Sequence, residues 1–171
     1  MTKFLVHLDA AYNLARWLMR NEHDAEDVVQ EAYLKAFRHQ AGFRGDDGRA
    51  WLLAIVRNTC YDRLKQHGVR DNSAFDERIH SVGRSTANPE TSLLEKEKTE
   101  LLREALEALS PEYREVLVLR ELEELSYVEI ASITRIPIGT VMSRLSRARK
   151  QLQESFLHRA AGRNPDLQPS F

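Results

Sequence analysis

The sequence predicts an all-α protein built as two small helical domains joined by a flexible linker, the second domain carrying a helix-turn-helix. Three observations carry this. Apolar residues recur at three-and-four spacing along most of the chain, which is the period of a helix with one buried face. Only 7 Gly and 5 Pro occur in 171 residues, and no run of alternating β-branched residues marks a strand. Between Gly68 and Asn88 the apolar period disappears into Asp71, Asn72, Ser73, Ser81, Gly83, Ser85 and Thr86, a composition suited to a connection rather than a core. The expected division is therefore residues 1–68, a linker at 69–88, a second domain at 89–160 and a tail at 161–171.

Each element follows from local signals. Leu5, Leu8, Tyr12, Ala15 and Met19 share one helical face, and the polar run Asn21 to Asp24 ends that helix. Asp24 is expected to cap a second helix whose Val28, Ala32 and Phe37 turn inward, with Glu26, Gln30 and Lys35 outward. Gly42, Gly45 and Gly48, mixed with Arg44, Asp46 and Asp47, break the pattern before a third helix from Arg49 to Gln66. In the second half, Asn88-Pro89 and Ser110-Pro111 both read as a capping residue followed by proline at the first helical position. Leu94, Leu101, Ala105, Leu106 and Leu109 form the buried stripe of the first of these helices, and Val116, Leu117, Leu119 and Leu122 that of the next. Ser126 with Glu129 makes a capping-box pattern for a third helix, and a fourth begins near Pro137. Beyond Ala161, Gly162, Pro165 and Pro169 argue against an ordered continuation.

Composition narrows the function. A formal net charge of −1 and a pI near 6.6 do not suit a protein that coats nucleic acid by bulk positive charge, so any DNA binding must be local or assisted. Cys60 is the single cysteine, which rules out an internal disulfide and a cysteine-based zinc knuckle and fits a reducing cytoplasm. The apolar residues of the first nineteen positions are interrupted by Lys3, His7, Asp9 and Arg16, so neither a signal peptide nor membrane insertion is expected. The scattered histidines and Cys60 form no nucleophile, base or phosphate-loop pattern, so the chain reads as no enzyme and calls for no cofactor.

Three segments present chemistry. In the last helix, Val141, Leu145, Ala148 and Leu152 cluster on one side and Ser143, Ser146, Arg147 and Lys150 on the other. An outward arginine offers a fork to guanine, serine donates or accepts, and lysine suits phosphate, whereas Arg144 and Arg149 lie on the flanks. Solvation of a terminal helix explains the same charges; the capping box and the short turn at Pro137 favour DNA. In the third helix, Leu52, Ile55, Val56 and Thr59 oppose Arg57, Asn58, Tyr61 and Lys65. Cations, an amide and an aromatic on one face suit separated DNA strands, and equally a solvated surface. Near the start of the second helix, Asp24, Glu26, Asp27 and Glu31 complement the helix dipole; with His23 they lack the spacing of a metal site.

Together these segments resemble a bacterial sigma factor of the extracytoplasmic-function type, within the sigma-70 family. The string Asp24-Ala25-Glu26-Asp27-Val28-Val29-Gln30-Glu31 resembles the family's second region, and Gly139 to Arg149 resembles its fourth. The resemblance implies a promoter-specificity subunit with core RNA polymerase, promoter DNA and an anti-sigma factor as partners. It implies that Asp24, Asp27, Gln30 and Glu31 dock on a coiled coil of the polymerase's large subunit. Phe43, Arg44, Arg57, Asn58 and Tyr61 would read the minus-ten element, with Asn58 and the loop from Phe43 to Arg49 capturing a flipped base. Trp51 would belong to the core. Thr140, Ser143, Arg144, Ser146, Arg147 and Lys150 would contact the minus-thirty-five element, with Met142 standing where the family commonly has a basic residue. Two rivals use the same features: a dimeric helix-turn-helix regulator, and a sigma mimic that sequesters an anti-sigma protein.

Overall fold

A computed structural model describes residues 2–71 and 93–163. In the first half, a short turn of helix α1 (Thr2–Leu5) precedes α2 (Leu8–Met19), α3 (Glu22–His39) and α4 (Gly48–Asp71), with a 3-10 turn at Gln40–Gly42. In the second half come α5 (Leu93–Glu107), α6 (Pro111–Leu117), which runs into a π turn at Val118–Leu122, α7 (Tyr127–Thr134) and α8 (Ile138–Arg163). No strand occurs among the described residues.

The first half packs α2, α3 and α4 against one another through many small residues. Ala10, Ala11, Ala15, Ala25, Ala32 and Ala36 are all buried, and small side chains at a crossing let helix axes approach closely. Asn21, rather than Asp24, caps α3: its side chain accepts from the Asp24 backbone N–H at 3.1 Å. Asp24 was expected in that role, but it lies inside the first turn, where its charge still favours the helix dipole. Asp47 accepts from Ala50 N–H at 3.0 Å and so holds the first turn of α4. That helix extends to Asp71, past the expected end of the domain at residue 68.

The second half follows its capping signals. Ser110 and Pro111 open α6 at the expected position, although the Ser110 side chain makes no capping hydrogen bond. Ser126 and Glu129 form the reciprocal capping box at 3.2 and 2.7 Å. Arg135 closes α7 in the left-handed conformation (φ 55°), turning the chain tightly into α8. The Asn88-Pro89 signal and the segment 72–92 lie outside the described residues. Helix α8 continues to Arg163, beyond the expected boundary at 160; there Arg159 and Arg163 pair with Glu104 of α5, which holds the last turns in place.

Three apolar residues assigned inward are in fact exposed: Phe37 (54%), Leu94 (59%) and Leu122 (50%). At about 100° per residue Phe37 stands opposite Val28, so it cannot share that residue's core. Leu94 falls in the first two turns of α5, which are exposed throughout. Leu122 is rotated outward by the π turn, whose wider winding breaks the 3.6-residue register.

The two halves are packed together. α4 lies on α7, α2 lies on α6 and the π turn, and the buried apolar residues of both form one contiguous core.

Candidate nucleic-acid and polymerase interfaces

Helix α8 presents its polar stripe to solvent. Val141, Leu145 and Ala148 are fully buried, which fixes the rotation of the helix and leaves Ser143, Ser146, Arg147 and Lys150 exposed, with Thr140 and Arg144 partly so. Among the described residues Arg147 and Lys150 enter no ion pair, whereas Arg149 is engaged by Glu121 at 2.6 Å. The outward stripe thus offers hydroxyls, one unpaired guanidinium and one unpaired ammonium. Met142 is 52% exposed beside them.

The face of α4 is arranged differently from the sequence expectation. Leu52, Val56 and Thr59 are buried as expected. Arg57 and Tyr61, expected outward, are instead turned against the second half. Arg57 Nε and Nη2 donate to both carboxylate oxygens of Glu115 at 2.7 and 3.1 Å, and its guanidinium lies 4.5 Å from the centre of the Tyr61 ring. Burial pushes the Glu115 carboxyl up, and the Arg57 hydrogen bonds offset part of that. Burial alone would lower the Arg57 guanidinium, but Glu115 overrides it and holds the guanidinium up. The Tyr61 hydroxyl is pushed up, chiefly by burial and then by the Glu115 charge. Asn58 is half-buried and Lys65 exposed. The periodicity separates these residues from the core stripe correctly; what it lacks is any signal that a second domain covers them.

In the loop before α4, Phe43 packs against Trp51 with ring centres 4.8 Å apart, and Phe4 lies 5.1 Å from Trp51. Trp51 therefore belongs to an aromatic cluster at the edge of the core, and Phe43 is held by it. Arg44 is exposed.

On α3, Gln30 is exposed and Asp24, Asp27 and Glu31 partly so. Glu31 is engaged by Lys35 at 2.8 Å and lies 3.8 Å from Arg63. Around the same helix an open groove of about 440 Å³ is lined by Phe4, Leu5, Gln30, Tyr33, Leu34 and Phe37. Leu34 and Phe37, 60% and 54% exposed, are site candidates missed in the sequence. Their position opposite the Val28 stripe is the signal that could have found them.

Two families match the chain. Sigma-70 region 2 matches residues 4–70, spanning α1 to α4, and sigma-70 region 4 matches residues 99–152, from within α5 into α8. The chain is 38% identical over 137 residues to the ECF RNA polymerase sigma-E factor of Escherichia coli K12, covering 75% of this chain and 72% of that one. It belongs to the extracytoplasmic-function sigma factors of the sigma-70 family. This sigma factor is also 35% identical over 148 residues to the ECF RNA polymerase sigma factor SigE of Mycolicibacterium smegmatis, covering 86% of the chain but only 58% of that relative. Among solved structures it resembles the sigma factor RpoE from Bartonella quintana, crystallised with the anti-sigma factor NepR. The TM-score is 0.76 at 33% identity, over 90% of this chain and 93% of the other. In this sigma factor, region 2 therefore carries the α3 groove and the α4 face, and region 4 carries the α8 stripe. No helix among the described residues is long and apolar enough to cross a membrane.

Proposed function

We propose that this sigma factor directs core RNA polymerase to promoters, working in the cytoplasm as a specificity subunit that makes and breaks no covalent bond. The observation that carries the reading is the outward stripe of α8: a helix whose rotation is fixed by Val141, Leu145 and Ala148, with Ser143, Ser146, Arg147 and Lys150 exposed on its far side. Such a stripe fits the major groove, where Arg147 reads a base edge and Lys150 meets phosphate. Thr140 and Arg144 flank it at the minus-thirty-five element.

Region 2 supplies the other contacts. Asp24, Asp27, Gln30 and Glu31 dock on the coiled coil of the polymerase's large subunit, with the apolar Leu34 and Phe37 extending that surface. Arg57, Asn58 and Tyr61, with Phe43 and Arg44, hold the separated minus-ten strand: the guanidinium takes phosphate, the amide takes a base edge, and the aromatic stacks. An anti-sigma protein is the expected regulator, as in the Bartonella complex.

In vitro transcription with purified core polymerase and a promoter library tests this. Promoter-specific transcripts are expected only with both present. Arg147→Ala should cost roughly 1–3 kcal/mol and relax base preference at one upstream position. Asn58→Ala should leave the closed complex nearly normal but reduce permanganate reactivity of the opened strand. Asp27→Arg should impair co-purification with core. Tight binding of the free chain to a palindrome as a dimer would favour an ordinary helix-turn-helix regulator. Full polymerase affinity of Asp27→Arg would overturn the docking assignment.

A further inference from the structure

The outward face of α8 is not uniform. Its first two turns form the end of a recognition helix that meets base edges, and there the exposed residues are apolar or small rather than charged. Met142 is 52% exposed, one residue past the buried Val141. Its neighbours at helical spacing on the outward side are Gly139, Ser143 and Ser146, all small, so the thioether projects beyond them. A Cβ at Gly139 would meet nothing within 4 Å, which leaves that side of the first turn open to an approaching surface. Ile138, 43% exposed, extends the apolar strip to the start of the helix. Neither Ile138 nor Met142 packs against the hydrophobic core. The cation on this flank is already engaged: Arg149, two turns further along, pairs with Glu121 at 2.6 Å. Arg147 and Lys150 lie about 140° and about 80° around the helix from Met142.

We infer that Met142 is a specificity-determining residue that reads the C5-methyl group of a thymine in the minus-thirty-five duplex, with Ile138 extending the apolar surface it offers. This rests on the assignment of α8 to that duplex and names the base that one flank of the helix selects. The reason is chemical. In the major groove the edges of adenine, guanine and cytosine present hydrogen-bonding groups, and thymine alone adds a methyl group. A thioether is only a weak acceptor. Pressed against a polar edge it displaces water without replacing the lost hydrogen bonds, which costs affinity. Against a methyl group both partners leave water, at a gain of roughly fourfold in affinity for one buried methyl. The unbranched side chain of Met142, with three rotatable bonds, reaches such a group without movement of the helix. Arg147 and Lys150 serve a base edge and phosphate from the other part of the same face, so the two flanks of α8 read different chemistry.

The test uses holoenzyme, the full chain bound to core polymerase, and a fluorescent promoter duplex selected from the transcription library. Each thymine of its upstream element is replaced in turn by deoxyuridine, which removes the methyl group and leaves the hydrogen-bonding edge intact. Wild-type holoenzyme should bind roughly fourfold more weakly when one particular thymine is replaced, and almost unchanged at the others. Met142→Ala and Met142→Gln should bind the thymine and deoxyuridine duplexes equally at that position. Met142→Leu, which keeps the apolar bulk, should retain the discrimination. All three change an exposed side chain, and circular dichroism checks that each remains folded. An upstream element without thymine, deoxyuridine that is silent at every position, or a methyl effect that persists in Met142→Ala would overturn the inference. Weaker capture of core polymerase by Met142→Ala with no change in discrimination would also overturn it, assigning the side chain to a protein contact. Arg147→Ala separates the two readings: if it relaxes base preference while deoxyuridine is silent, the role of Met142 falls and the α8 assignment stands. If no base change in the upstream duplex alters wild-type binding, the α8 assignment falls and this inference falls with it.

Discussion

Arg114 is the residue whose loss should most weaken this fold. It is 2% exposed and donates to four backbone carbonyls: Leu106 at 3.1 Å, Glu107 at 3.0 Å, Leu109 at 2.6 Å and Trp17 at 2.9 Å. Three of these belong to the end of α5 and the turn after it, where helix carbonyls run short of intrahelical partners, although Leu106 also accepts from the Leu109 N–H at 3.1 Å; the fourth is in α2, across the interface between the two regions. A cation at a helix C-terminus also complements the dipole. Burial first, and then the nearby Arg20 charge, lowers the guanidinium from its ordinary value to about 10. That shift corresponds to about 3 kcal/mol of penalty on the charged form. In Arg114→Met this penalty vanishes, but four carbonyls lose this donor, and the three other than Leu106, which keeps the Leu109 N–H, cost about 1–3 kcal/mol each where they stay buried and dry. Only some will remain dry, so the net loss should be about 2–4 kcal/mol. Arg114→Lys, with one ammonium reaching fewer carbonyls, should lose less. Urea unfolding followed by circular dichroism measures both. Stability of Arg114→Met within about 0.5 kcal/mol of wild type would mean that water replaces the guanidinium, and the reasoning would fail.

Three further outcomes follow from local structure. Ser126→Ala removes the Oγ acceptor of the α7 capping box and should cost about 1 kcal/mol of stability, read from the same urea curves. Cys60, whose thiol burial pushes up to about 12, should resist maleimide at pH values near neutrality in the folded chain and react once urea unfolds it; prompt labelling of the native protein would contradict the burial. Leu34→Glu with Phe37→Glu should leave the thermal midpoint nearly unchanged, because both side chains are exposed, yet weaken capture by core polymerase. Unaltered capture would separate the apolar groove from the docking surface.

Most of the helices were legible in the sequence because their signals are local. The Ser126–Glu129 box, the Ser110-Pro111 start and the Val141–Leu145–Ala148 stripe each depend on residues a few positions apart. Helical spacing also sorted Leu52, Val56 and Thr59 from the opposite face of α4. What it could not supply was the neighbour of that face. Arg57 and Glu115 are 58 residues apart, on either side of a segment that carries no pattern, so nothing in the period shows that they meet. Phe37 illustrates a different gap: apolar character suggested the core, while its angle relative to Val28 placed it outside, and the angle was the better guide. Arg114 and Glu115 look like the polar face of an ordinary helix, yet both are buried because α6 is enclosed by α2, α4 and α8.

The two surfaces proposed to meet DNA are thus unequal. The α8 stripe is open, with Arg147 and Lys150 unpaired among the described residues, while on α4 Arg57 is engaged and Tyr61 covered. Duplex recognition requires only the first surface, whereas holding a melted strand requires the second. In the proposed function α8 can therefore meet duplex DNA as the chain stands, whereas a strand that takes Arg57 must displace Glu115. With a net charge of −1, the chain has little general attraction for DNA to force that exchange.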